Sequence, residues 1–302
     1  MSRISGVGVA YACGAGALWG FSFIGPLLAT DASPALVAAG RYVAYGIAAL
    51  VLLAASGRLR QAGSAWRDAL VLSLLGNLLY FVCLSASLQK AGVVLPTLII
   101  GMLPVTIPLA ACLLERRRPN AYQLAGFALT IAGTSLAHPQ VGNYVAPDVA
   151  GGVLLAVLAL SLWTAFALAN ARLFRHHAAL DGQTWSAMQG AAALPFALAL
   201  GAVSGQGLFE ELDWPRFLAV SLLMGLFGSL LANSLWNAAS RHLPAAQLGP
   251  MIVAETLAGL LYGRLWSGVP WPLETWIGAA LLVAGVLLAV RVPRSAPAPL
   301  GA

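Results

Sequence analysis

Apolar blocks of about 20 residues alternate with short polar breaks along the whole chain, and this pattern most constrains the fold. About 20 helical residues cross the roughly 30 Å of a bilayer's hydrocarbon. Ten blocks can be marked, near residues 6–29, 34–55, 69–89, 93–114, 120–138, 149–171, 184–204, 215–239, 245–266 and 272–291. Charged residues make up 9% of the sequence, where a soluble domain carries about 25%. The chain reads as an all-α integral membrane protein with ten transmembrane helices. Its formal net charge of +6 is therefore a topology signal before it is a nucleic-acid footprint, and no nucleic-acid partner is expected.

Turn residues punctuate the blocks, as at Asp31 to Pro34, Ser56 to Arg58, Arg116 to Pro119, Ala146 to Asp148 and Gly268 to Pro270. No break is long enough to hold a soluble domain. The first block, about Gly6 to Ala29, exceeds the apolar core of a signal peptide and reads as an uncleaved first helix. Cys13, Cys83 and Cys112 all lie inside apolar blocks, so neither a disulfide nor a metal site is expected. With the N-terminus in the cytoplasm, inside segments hold twelve Lys/Arg, and outside segments hold three: Lys90, Arg216 and Arg264. That bias places both termini on the cytoplasmic side.

Two halves can be aligned. A shift of 152 residues sets Leu75 to Leu79 on Phe227 to Leu231, Gly126 on Gly278, and Ile131 to Gly133 on Val283 to Gly285. A shift of 144 sets Trp19 on Trp163. The expected division is 1–139, 140–292, and a disordered cytoplasmic tail at 293–302. Five spans per half is an odd number, so the second repeat enters the membrane inverted. Such repeats mark alternating-access carriers, with the substrate near the midplane at the repeat interface.

These features resemble the drug/metabolite transporter superfamily, EamA type. The residues that carry the likeness are Leu18 to Gly20 in the first block, Glu115 followed by the Gly126 and Gly133 helix, and the Gly278 and Gly285 helix of the second half. Glu255 and the aromatic content look most similar to the YddG group of amino-acid exporters. The resemblance implies a basket-shaped bundle with a central cavity. It further implies ATP-independent export of amino acids, aromatic ones included, across a bacterial inner membrane. The second half departs from the pattern, having no glutamate where the first has Glu115.

Glu255 is the one carboxylate in the interior of an apolar block. A charge at that depth costs about 2.5 kcal/mol or more and marks a site by default. It could pair with a substrate ammonium or carry a coupling proton, or else bond a neighbouring helix. Gln247 and Met251 share its face. Asn77 and Tyr80 form one stripe; Ser229, Asn233 and Asn237, with Trp236 beside them, form another. Both should turn inward, to line a cavity or to bond between helices. Trp19 and Trp163 give matching aromatic surfaces, for a substrate or for packing. Pro96, Gly101, Pro104 and Pro108, with Pro250 in the other half, suggest kinks that act as gates or merely serve packing. Arg41 is expected to snorkel towards the outer interface; a gate pair or a carboxylate site is the alternative.

No cofactor or catalytic residue is expected, since no nucleophile–base constellation or phosphate-binding loop appears. His176 and His177 lack further ligands. The competing functions are efflux of lipophilic or quaternary-ammonium cations and an enzyme acting on lipid. A monomer in contact with membrane lipid is expected.

Overall fold

A computed structural model describes residues 5–59, 63, 65–116, 118–136, 146–177, 179–205, 212–243, 249–268 and 270–289. These are helices and connecting turns, with no strand among the described residues. In chain order they are α1 (Gly6–Phe23, its last turn 3-10), α2 (Pro34–Ala55), α3 (Ala65–Ala91), α4 (Val94–Ile100), α5 (Leu103–Leu114) and α6 (Ala121–Ser135). Then follow α7 (Val149–His176), α8 (Gly182–Ser204), α9 (Trp214–His242), α10 (Val253–Ser267) and α11 (Leu273–Ala289).

Their starts are written locally. Ser5, Ser33, Asp181 and Asp213 each accept a backbone N–H from the first turn that follows, and Asn120 with Gln123 closes a capping box. Gly92 and Gly268, both at positive φ, end α3 and α10. Six helices, α1, α2, α3, α7, α8 and α9, are long and apolar enough to cross a membrane. The pair α4 and α5, bent by 41°, makes a seventh if it is one span. α6, α10 and α11, of 15, 15 and 17 residues, fall short of the length the ten-block pattern implied. Outward-facing Leu113, Leu114, Leu154 and Val203 are each more than 70% exposed, a surface suited to lipid and not to water.

Packing runs through small residues, as expected where lipid tails remove the hydrophobic drive between helices. A Cβ at Gly126 would stand 2.5 Å from the Gly285 carbonyl oxygen, and one at Gly133 equally close to that of Gly278. The order is reversed along the two helices, so α6 and α11 are antiparallel. The same logic sets α2 against α8 (Gly46 on Gly190 and Leu194, Gly201 on Ala39), α3 against α7 (Gly152 on Ala91, Gly76 on Phe166) and α1 against α9 (Gly8 on Leu243, Gly14 on Leu235). α1 is parallel to α10, with Gly16 on Ala254 and Gly20 on Ala258.

Ion pairs join the two halves at the helix ends. Asp31–Arg216 (2.9 Å) and Lys90–Asp148 (2.7 Å) lie at one end of the bundle. Arg58–Asp181 (2.5 Å) and His177–Asp68 (2.8 Å) lie at the other.

Two helices carry a π-helical stretch, Ser73–Leu79 in α3 and Leu223–Leu231 in α9. They fall on the residues that the shift of 152 superimposes. π turns are frequent at functional sites, and both of these border the central cavity.

Candidate functional site

The central cavity has a volume of about 150 Å³ and draws its walls from both halves of the chain. Of the residues expected there, Trp19, Asn77, Tyr80, Trp163, Asn233, Trp236 and Glu255 line it. Trp19 packs against Trp236 with ring centroids 5.2 Å apart, and Tyr80 against Trp163 at 4.8 Å. Each pair takes one ring from each half.

Arg41 also lines the cavity, and this corrects the snorkelling expectation. It is only 7% exposed. Nε donates to Ser229 Oγ (3.1 Å), Nη1 to Ser22 Oγ (2.9 Å) and Nη2 to the Gly228 carbonyl (3.2 Å). Its Cζ stands 4.2 Å from the centre of the Phe81 ring and 5.4 Å from that of Tyr42, contacts worth up to about 2 kcal/mol each when desolvated. The guanidinium turns inward because the α9 π turn and α1 offer it three oxygens there. Gly40 and Gly225 allow α2 and α9 to come close enough for this.

Glu255 is placed differently from the mid-span position read in the sequence. A 3-10 turn, Gly249–Ile252, interrupts the block, and Glu255 falls in the first turn of α10. A helix N-terminus favours a negative group by roughly 0.3–1 kcal/mol. Neither a hydrogen bond nor an ion pair ties its carboxylate to any described residue. Asn77 presents the complementary case: its Nδ2 is buried and lacks an acceptor among the described residues.

Two expected lining residues are elsewhere. Asn237 lies a turn beyond Asn233 and donates to Ser186 Oγ (3.4 Å). Met251, in the 3-10 turn, packs on the small cluster of Ala12, Ala239 and Leu243. Gln247 and the Pro250 side chain lie outside the described residues. Pro96 is buried in α4, Gly101 sits at the α4–α5 bend with Thr256 of α10 against it, Pro104 opens α5 and Pro108 lies inside it. The bend itself follows from Pro104, which can supply no N–H to the carbonyl one turn back.

Residues not expected in the wall are Ser22, Tyr42, Tyr45, Leu103, Gly228 and Ile252, while Ser229 of the inward stripe is there. Tyr45 donates to the Ser186 carbonyl (2.8 Å) and accepts from Asn233 (3.2 Å). Its sequence signal was available, since Val37, Arg41 and Tyr45 share a helical face. Among the described residues no group of three or more His, Cys, Asp or Glu is arranged to hold a metal ion.

Comparison with known proteins gives a consistent picture. The model of the EamA-like transporter family matches the chain twice, over residues 6–137 and 150–291. The chain is 37% identical to the inner membrane protein YtfF of Escherichia coli (strain K12), over 96% of this chain and 97% of that one. It is 26% identical to the uncharacterized transporter YwfM of Bacillus subtilis (strain 168), over 91% of each. A solved crystal structure of a protein 20% identical superposes with a TM-score of 0.63, covering 93% of this chain and 96% of that one. At that identity the likeness concerns the fold alone.

Proposed function

The chain belongs to the EamA-like transporter family, so it is a multi-pass membrane transporter and not an enzyme, and from that premise we propose that it exports amino acids. The reading includes alternating access without ATP, a bacterial inner membrane, and a place in the YddG group suggested by the sequence. The observation that carries it is the central cavity, where a guanidinium and a carboxylate with no hydrogen-bond or ion-pair partner among the described residues sit among tryptophans contributed by both halves.

Ten spans in two inverted repeats, 1–139 and 140–292, form the scaffold in this reading. The double match of the family model supports it, as do the π turns at corresponding positions. A two-fold axis in the membrane plane also requires equivalent helices that touch to be antiparallel. The α2–α8 and α6–α11 crossings meet that requirement. Both termini are then cytoplasmic by the positive-inside rule, and the carrier works as a monomer. Glu255 receives the substrate ammonium or a coupling proton, and Pro104, Pro108 and the Gly249–Pro250 break serve as hinges.

A second reading, efflux of lipophilic cations, draws on Glu255 beside Trp19 and Trp163. Arg41 in the same cavity repels a bare cation and weighs against it. Purified protein in liposomes is expected to move labelled amino acids, with and without a pH gradient, and Glu255→Ala to slow this at least tenfold. Absence of flux for every amino acid overturns the proposal, and flux of a quaternary ammonium compound in its place favours the second reading.

A further inference from the structure

Resting on the amino-acid reading above, we infer that the cavity selects zwitterions with short, uncharged side chains and excludes the aromatic amino acids that the resemblance implied. Three sets of observations carry this.

The first is charge. Arg41 has five N–H donors, and each of its three nitrogens makes one bond to the protein. Nη1 and Nη2 therefore each keep one N–H. Asn77 Nδ2, in the same wall, is buried with no acceptor among the described residues. Leaving such a donor unpaired carries its full desolvation penalty, which a substrate oxygen removes on binding. Glu255 supplies acceptors with no protein donor among the described residues. A ligand that satisfies this cavity brings an anionic oxygen group for Arg41 and Asn77 and a cationic N–H group for Glu255. An α-amino acid carries both on one carbon.

The second is size. A cavity of about 150 Å³ takes one benzene, and this one has that volume. Alanine and serine are on that scale. Phenylalanine is an alanine with a benzene ring attached, about twice what the space admits.

The third is the state of the aromatic walls. Trp19 with Trp236, and Tyr80 with Trp163, are already in ring–ring contact, and Trp163 also meets Phe166 at 4.8 Å. These rings pack on one another in the cavity wall, and a further ring would have to part them to stack there. Leu103 and Ile252 complete the apolar wall.

The test is counterflow in proteoliposomes of the full chain, with labelled L-alanine, L-serine, L-phenylalanine and L-tryptophan as probes. Alaninamide and N-acetylalanine, each lacking one pole, serve as competitors. Alanine and serine are expected to exchange at least tenfold faster than the aromatic pair, and neither one-poled compound to compete. Ile252→Ala, or Leu103→Ala should the first not fold, is expected to raise phenylalanine exchange several-fold relative to alanine. Phenylalanine exchanging as fast as alanine in the wild type, or competition by either one-poled compound, overturns this inference and leaves the amino-acid reading standing. No exchange of any amino acid overturns the reading itself.

Discussion

Arg41 holds a full charge inside the bundle, a placement that is expensive unless the protein supplies partners. Two serine hydroxyls, one carbonyl and two ring faces supply them. Arg41→Met removes the donor from all three oxygens, at about 1–3 kcal/mol for each one left unsatisfied. The variant is expected to melt several degrees lower in detergent, with Arg41→Lys in between because an ammonium cannot span the three acceptors. An unchanged melting temperature for Arg41→Met would show that the cluster contributes nothing to stability. The sequence located Arg41 as a charge within a span, yet counting residues from a block edge says nothing about which way a long side chain points. The carbonyl that receives it, Gly228, has no side-chain signature at all. Asn237 illustrates the opposite error. A spacing of eight residues keeps a rough stripe, but each further four residues travel about 6 Å along the axis, and that carried Asn237 out of a small cavity.

Helix against helix, α6 and α11 meet backbone to backbone. Gly133 and Gly278 each lie against the other's carbonyl, and Gly126 and Gly285 repeat the arrangement one pair along. Gly133→Leu must push the helices apart, at roughly 1–3 kcal/mol or more by comparison with overpacked cores. Thermal unfolding in detergent should register it as a clear loss, whereas a leucine at exposed Ile131 on the same helix should be nearly silent. These four glycines were readable in the sequence as matching marks of two halves. Which glycine faces which was not, because the answer depends on two helices distant in sequence docking antiparallel. The π turns were equally hidden: one or two polar residues in each stretch, Ser73 and Asn77 in one and Ser229 in the other, are too few to reveal an extra residue per turn. Helix starts, by contrast, were legible wherever Ser, Asp or Asn stood before a block.

Taken whole, the molecule is not two halves side by side. α2 packs on α8, α3 on α7, α1 on α9 and α10, and α6 on α11, so nearly every major seam joins one half to the other. The ion pairs at the ends follow the same rule. At one of them, the Lys90 ammonium donating to Asp148, together with the Gly151 N–H, holds the Asp148 carboxyl below its usual 3.8. A carboxyl depressed on folding contributes stability above its unfolded value, and loses it as pH falls through the folded one. The melting difference between wild type and Asp148→Asn should therefore be flat from about pH 7 to 5 and close only when the pH is taken well below 3.8. A difference that closed already near neutrality would mean that Asp148 is not the group responsible.

Among the described residues each end of the bundle carries two of these half-to-half ties, Asp31–Arg216 with Lys90–Asp148 and Arg58–Asp181 with His177–Asp68. A carrier that opens by parting its halves would break two of these ties whichever mouth it used; the exposed pairs are worth about 0–1 kcal/mol apiece, and His177–Asp68 is the more buried one, at 16% and 30% side-chain exposure. In the proposed carrier these ties would act like the light springs of a turnstile, so that opening either mouth would cost little.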